Sequence, residues 1–551
     1  MGQQQPAEVG VGGILDFTAK TLPPAEPPGK RGGMVNFNAG TASGSDPHSN
    51  NAGATLWSPI ADAALEVNPR TLSIDPGIIK SWTISPDGLT YTFTLRDDVY
   101  FHDMRPVNGR QVTAADVAYS WMRAAGRYNP QDPAGLWPRA SALANMDKAE
   151  ATDKLTVKLT MVKRNAGILN GIADNRIIIL PREVAESTDM RTGGVQSMIG
   201  TGPFYLEKWS EETGLVYKAN PKYWKKDANG QKLPYVNGVN GVLVRDKATG
   251  IAAFTSSQID YLENMFHRDA DNINKNRPET VKAFRGGAAG CSLKYNLQKK
   301  PWNDLNVRKA FDLILDRKFL GDGHLGAGNW ILASPAVYSH YPDFALTPEE
   351  LAKLPGRKVG DARKADIEEA KRLLREAGYA QGFPIELSGP GSAGTAIGYL
   401  EYPLLIQENI IRDLGDMGFT VKWIPFGADQ TKNVSERRFD VNWYCATLST
   451  DAGLWMHEQF HTDGGRNYMG YSDLKYDAMW EQQQAELDVV KRKALLKDLQ
   501  LYVIDQVAYS IVVDYYQANI LQPYFKGLVP YMAGTFSGPV TSQLDTVWLD
   551  K

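Results

Sequence analysis

Apolar and polar residues alternate cleanly from Trp82 to Arg96, and the two alternating runs, WTIS and TYTFTLR, flank Pro86-Asp87-Gly88. Period-two patterning around an Asp-Gly turn predicts a β-hairpin. The pattern then changes period. Thr113 is followed three residues later by Asp116, a helix-start signature, and Val117, Trp121 and Met122 form one apolar face. Further along, Asp304 to Phe319 reads as one amphipathic helix through Val307, Ala310, Phe311, Ile314 and Leu315. Asp361 to Glu376 is helical and stops at Gly378, with a strand at Pro384 to Leu387. Leu400 to Met417 is a helix ending at Gly418, ahead of a strand at Phe419 to Ile424. Val489 to Ala508 is a helix and Tyr509 to Asp514 a strand; the first strand is Met34 to Asn38. No short-period repeat interrupts this succession, which predicts an α/β protein with sheets covered by helices.

The chain has 551 residues, too many for one hydrophobic core, so two or three domains are expected. Pro23 to Gly33 (PPAEPPGKRGG) is a linker or tether ahead of the first strand, and Gly40 to Gly53 is a polar loop. With 43% apolar and 22% charged residues and a formal charge of −3, disorder is excluded as the main state. No clustered positive charge marks a nucleic-acid binder. No run approaches the roughly 18 apolar residues of a membrane span. Met1 to Pro6 is polar and Val9 to Leu15 is short and glycine-rich, so no signal peptide is read. The expectation is a cytoplasmic protein, or an exported one with its targeting segment removed. The 13 Trp, 25 Tyr and 18 Phe supply rings for cores and for ligand clefts. Cys291 and Cys445, the two cysteines, are either one long-range disulfide or two buried thiols.

One segment matches a catalytic pattern: His457-Glu458-Gln459-Phe460-His461, an H-E-x-x-H. On a helix it places two imidazoles on one face for zinc, with the glutamate as general base and Glu481 or Glu486 as a third ligand. The helix would open near Thr450 or Asp451 and meet Gly464-Gly465 soon after His461, which makes it short and polar-flanked and counts against a rigid metal site. Gly286 to Gly290 lacks the Lys-Ser/Thr of a phosphate loop, and no serine lies in a G-x-S-x-G elbow. His48, His102, His267, His324 and His340 are scattered singly. No catalytic constellation emerges, and no cofactor or metal is expected.

Several separated segments together resemble the family 5 solute-binding proteins of bacterial ABC importers, the group of the dipeptide, oligopeptide and nickel receptors. They are Pro28 to Gly33 with the following strand, Trp82 to Arg123, Thr201-Gly202-Pro203-Phe204, Asn303 to Arg317 (NDLNVRKAFDLILDR) and Asn467 to Asp477 (NYMGYSDLKYD). The resemblance spans residues 30 to 545 in order. It implies a periplasmic-binding-protein type II-like fold of two lobes joined by a hinge, with an additional inserted domain (cluster C architecture). Domain I would comprise 34–57, 200–289 and 522–551, domain II 58–199 and domain III 290–521, behind a tether at 1–33. The lobes would connect near Gly287–Cys291 and Tyr515–Leu521, and Gly286 to Gly290 would serve as hinge.

Such a receptor captures a small-molecule solute between its lobes and delivers it to the permease and ATPase of an ABC importer, without chemistry of its own. It is expected to be a monomer, periplasmic or extracytoplasmic, free or tethered as a lipoprotein. By the resemblance, ligand would be flanked by Thr41-Ala42-Ser43-Gly44, ahead of Asp46-Pro47, and by Trp443-Tyr444-Cys445-Ala446-Thr447. The family's peptide receptors carry an aspartate for the peptide ammonium, and Thr447 stands in that register, with Asp451 four residues on. A threonine hydroxyl hydrogen-bonds an ammonium without neutralising it. This departure points to a neutral oligosaccharide or aromatic compound, with Trp423, Trp443, Tyr444 and Trp455 as stacking faces and Arg437 and Arg438 for an anionic group. An oligopeptide receptor is the alternative, and a zinc metallohydrolase at 457–461 a further one. A Cys291–Cys445 disulfide, similar to a bridge of oligopeptide receptors, is implied as well.

Overall fold

The computed structural model describes residues 29–38, 46–49, 54–68, 73–129, 137, 139–187, 197–210, 212, 214–244, 246–286, 289–333, 341, 344–390, 401–447, 449, 451–514, 516–528 and 543–551. Three large sheets organise them. A seven-stranded sheet runs, in spatial order, Val281–Gly286, Tyr516–Leu521, Tyr261–Met265, Met34–Asn38, Gly238–Val242, Gly214–Ala219 and Phe204–Ser210. A four-stranded antiparallel sheet contains Ile79–Ile84, Thr90–Leu95, Thr156–Met161 and Met146–Ala151. A five-stranded mixed sheet orders Thr420–Pro425, Pro384–Gly389, Val441–Thr447, Ala289–Tyr295 and Tyr509–Ile511.

Local signals produce the first elements of the four-stranded unit. The hairpin forms at Pro86-Asp87-Gly88, where Gly88 takes φ +71° and the Asp87 carboxylate accepts from the Leu89 amide at 3.0 Å. Ala114–Ala124 is helical, its start fixed by Asp116, which accepts from the Thr113 amide at 2.9 Å and receives a two-pronged Arg110 guanidinium. Trp121 and Val117 from that helix bury against Tyr91 and Phe93 of the hairpin.

The expected single helix Asp304–Phe319 is two: Leu305–Ile314 and Arg317–Leu325. Asp316 breaks it. Its carboxylate accepts from the Phe319 amide at 3.1 Å, capping the second helix, while Leu315 becomes extended. The end of the expected tether also differs. Gly32 donates its amide to the Tyr235 carbonyl, Arg31 lies over the Tyr235 ring and Lys30 pairs with Asp550, so residues 29–33 are fastened to the seven-stranded unit. Gly29 permits this, since a Cβ there would overlap the Trp548 ring.

The seven- and four-stranded units share a tight junction. Along Ile177–Leu180 successive side chains point alternately into two cores: Ile177 and Ile179 join the hairpin core, Ile178 and Leu180 the core around Val35, Trp57 and Tyr217. Two buried histidines fasten the same junction. His48 Nε2 donates to the Ile178 carbonyl at 3.0 Å, and His102 Nε2 donates to the Gly202 carbonyl at 3.1 Å while its Nδ1 accepts from Gly200. Burial pushes His48 down to about 3, aided by the Arg123 charge, and His102 down to about 4. Both rings are therefore neutral when folded, whereas the unfolded chain takes up protons below about pH 6.5. Stability is full above that pH and is lost as pH falls toward 4, with a slope of roughly 1 kcal/mol per pH unit for each ring. Urea unfolding at pH 7 and pH 5 checks this; equal midpoints would show that neither ring resists protonation.

Candidate ligand-binding site

Three strands of the five-stranded sheet end along one edge. Pro384–Gly389 runs parallel both to Thr420–Pro425 and to Val441–Thr447, so Gly389, Pro425 and Thr447 close the same side. The antiparallel strand Ala289–Tyr295 begins there, with Ala289 opposite Thr447 and Cys291 opposite Cys445. Both chain connections to the seven-stranded sheet also lie along this strand pair. Val281–Gly286 leads into Ala289–Tyr295, and Tyr509–Ile511 leads into Tyr516–Leu521. Each connecting pair is hydrogen-bonded on both sides, Gly286 to Tyr516 in one sheet and Ser292 to Ile511 in the other. In open α/β sheets the crevice outside the carboxyl strand ends takes ligands, because backbone and loops converge there without covering helices. This edge is the candidate site.

The structure sorts the expected residues. Thr41, Ala42, Ser43 and Gly44 lie outside the described residues, and so do the side chains of Ala446 and Thr447. Cys445 stands at the edge, disulfide-bonded to Cys291. Trp423 leans toward it: half-buried, its ring covers Gly389, where a Cβ would come within 2.7 Å of it. Tyr444 faces the opposite side of the sheet from Trp443 and is half-buried, with the Tyr468 ring 5.4 Å away, edge-on.

Four others are engaged in cores or with other side chains and backbone. Trp443 is buried in the core beneath Glu401–Leu414, its ring 4.9 Å from that of Tyr402. Trp455 is buried in the core on the other side of the sheet, among Phe460, Tyr476 and Leu496. Trp443 sits on a strand buried on both faces and Trp455 on a helix packed over that sheet, so both rings are used in cores. Arg437 precedes Val441–Thr447 at the opposite end, so the strand's length of about 20 Å separates it from the edge. It turns the chain with φ 56° and donates to the Asn467 carbonyl at 3.1 Å. Asp451 is consumed by Arg492, whose two terminal nitrogens reach its two oxygens at 2.8 and 2.7 Å.

Sequence reasoning missed Lys294, which lies beside Tyr444 on the same face. It is fully buried, donates to Gln459 Oε1 at 2.9 Å and sits over the Tyr509 ring. Burial, and then the nearby Arg466 charge, push its amine down to about 7. Its signal in the sequence is a lysine inside the apolar run Cys-Ser-Leu-Lys-Tyr, in phase with Ser292.

The H-E-x-x-H lies where expected, on the helix Ala452–Phe460 opened by Asp451, yet that helix is buried along eight of its residues rather than polar-flanked. Its glutamate does not serve the histidines. Glu458 accepts from Ser141 at 3.0 Å and Ser449 at 2.6 Å and lies between Arg139 and Arg466. Burial alone would raise its carboxyl; the Arg466 and Arg139 charges outweigh that and hold it below the ordinary carboxylate range.

Comparison with known proteins gives this geometry its setting. The sequence profile of the bacterial extracellular solute-binding proteins, family 5 Middle, matches residues 73–465. The dipeptide-binding protein of Escherichia coli is 24% identical over 531 residues, covering 91% of this chain and 92% of its own. The heme-binding protein A of Haemophilus influenzae is 24% identical over 505 residues, covering 86% and 85%. Among solved structures, the periplasmic binding protein DppA of Helicobacter pylori, in complex with the peptide STSA, superposes with a TM-score of 0.76 at 20% identity, covering 95% of this chain and 99% of that one. The fold is thus the α/β fold of type II periplasmic binding proteins. Among the described residues no helix is long and apolar enough to cross a membrane. The chain belongs to family 5 of the bacterial extracellular solute-binding proteins, the receptors that serve the permease and ATPase of ABC-type importers.

Proposed function

We propose that this receptor, acting as a periplasmic monomer, binds a short peptide between the five-stranded and seven-stranded units, at the strand edge carrying Cys445, Trp423 and Gly389. The observation that carries the reading is the end-to-end correspondence with the dipeptide-binding protein, which spans nine-tenths of both chains. The fold shared with a peptide-loaded receptor supports it. A neutral oligosaccharide or aromatic solute, the expectation from Thr447, has less support. In this reading the paired connections at Gly286 and Tyr516 act as hinge, and ligand favours the closed form by binding it more tightly. The receptor turns nothing over.

With Thr447 in the ammonium register and Asp451 held by Arg492, the peptide amine is met by neutral oxygens. Thermal-shift assays with di- to tetrapeptides, their N-acetylated forms, and a panel of sugars and aromatic acids test this. Peptides are expected to raise the melting temperature, since a ligand that binds only the native state stabilises it. N-acetylation should weaken binding only a few-fold. Thr447→Asp should strengthen free-amine peptides by roughly tenfold or more, the worth of a charge-assisted hydrogen bond, and leave acetylated ones unchanged. A shift with a sugar or aromatic acid and none with any peptide would overturn the peptide reading.

A further inference from the structure

The histidines of the H-E-x-x-H, left unused by solute capture, meet a third group. We propose that His457, His461 and Asp463 bind one divalent cation of the zinc class at the carboxyl end of the helix Ala452–Phe460. The two imidazoles stack at 4.5 Å, one helical turn apart. His457 Nε2 lies 3.1 Å from Asp463 Oδ1, and His461 Nδ1 contacts the same oxygen. One ligand atom from each residue lies within 4.8 Å of the other two. Around a tetrahedral zinc, with bonds of about 2.0–2.1 Å, donor atoms stand roughly 3.3 Å apart, so an ion enters with side-chain rotations alone. Three ligands leave a fourth position for water.

The surroundings suit a cation. His461 turns its other nitrogen toward Asp477, 3.7 Å away, and Asp477 is itself held by the Thr462 amide. A carboxylate behind a ligating histidine fixes ring orientation and strengthens the donor. Trp480 packs on both imidazoles, at 4.4 and 5.2 Å. His457 Nδ1 is buried without a hydrogen-bond partner among the described residues, and no lysine or arginine pairs with Asp463 there. The site also closes the negative end of the helix dipole. Gly464 brings the loop onto it, since a Cβ there would fall 2.3 Å from the His457 carbonyl. Glu458, the motif's general base, is instead engaged with Ser141 and Ser449, so the proposal is of ion binding rather than of hydrolysis. The ion would join the end of Ala452–Phe460 to the loop before Leu474–Ala485, beside the crevice where His457, Trp480 and Gln484 meet Ser141 and Asn165.

Isothermal titration of the chelator-treated full chain with zinc, and visible absorption after cobalt substitution, test this. Expected are one ion per chain at micromolar zinc and the intense d–d bands of tetrahedral cobalt. His457→Ala should cost at least about 100-fold in affinity and Asp477→Asn about 10-fold to 100-fold. Asp463→Asn, at an exposed position that leaves the fold intact, should also weaken binding and change the cobalt spectrum. No stoichiometric zinc at micromolar concentration, or unchanged affinity in both His457→Ala and Asp463→Asn, would overturn the proposal.

Discussion

Replacing Arg492 by Ala is expected to lower the unfolding free energy by about 3–5 kcal/mol, because it strands a buried carboxylate. Arg492 and Asp451 are 6% and 4% exposed. The guanidinium grips both Asp451 oxygens and donates its third arm to Gln483. Asp451 in turn caps Ala452–Phe460 by accepting from the Leu454 amide at 3.0 Å. Burial alone would raise the Asp451 carboxyl; the Arg492 charge and hydrogen bonds outweigh it and hold it below its ordinary range. A carboxyl depressed in the folded state contributes stability above its unfolded value near 4, and that contribution fades as pH falls through the folded value. Urea unfolding at neutral pH of Arg492→Ala, Asp451→Asn and the double variant checks the assignment. The double change should cost less than the two singles summed. A loss under about 1 kcal/mol for Arg492→Ala would mean that solvent reaches the pair. In the proposed peptide reading the same pair keeps Asp451 from serving a ligand amine, since moving it would uncap a helix and unpair Arg492.

What could be read beforehand divides by range of interaction. The hairpin at Gly88 and the cap at Asp116 depend on neighbours within a few residues, and their residue types announce them. Asp316 shows where local reading falters. The apolar period continues through Leu315, yet an aspartate able to cap Phe319, and paired with Arg363, stops one helix and starts another. Trp443 and Tyr444 show a second limit. Neighbours on a strand face opposite sides, and a sheet covered on both sides gives no polar alternation to say which side meets ligand. Asp451–Arg492 and Lys294–Gln459 join residues 41 and 165 positions apart, which no periodicity reveals. The H-E-x-x-H spacing correctly placed two imidazoles on one helix face. The glutamate between them lies about 100° around the helix and was claimed by Ser141 of another unit.

Removing the Cys291–Cys445 bridge is expected to cost about 2–5 kcal/mol and to lower the melting temperature by roughly 5–15 °C. The two cysteines are directly opposed on neighbouring strands, Cα atoms 4.0 Å apart, and close a loop across a sequence separation of 154. In the chain-entropy account a loop of that size restricts the unfolded ensemble by about 5 kcal/mol. The strands remain hydrogen-bonded from Ala289–Thr447 to Tyr295–Val441 without it, so the altered protein should fold. The bridge matters for position as well as for stability. It ties the first residues after the connection from the seven-stranded sheet to the strand that ends at the candidate site. Cys291→Ser with Cys445→Ser should therefore melt earlier, and a reducing agent should shift the unaltered protein alone. Thiol titration of denatured, unreduced protein should find no free thiol. Two reactive thiols there would reject the bridge, and a reductant shifting both proteins equally would show that its effect lies elsewhere.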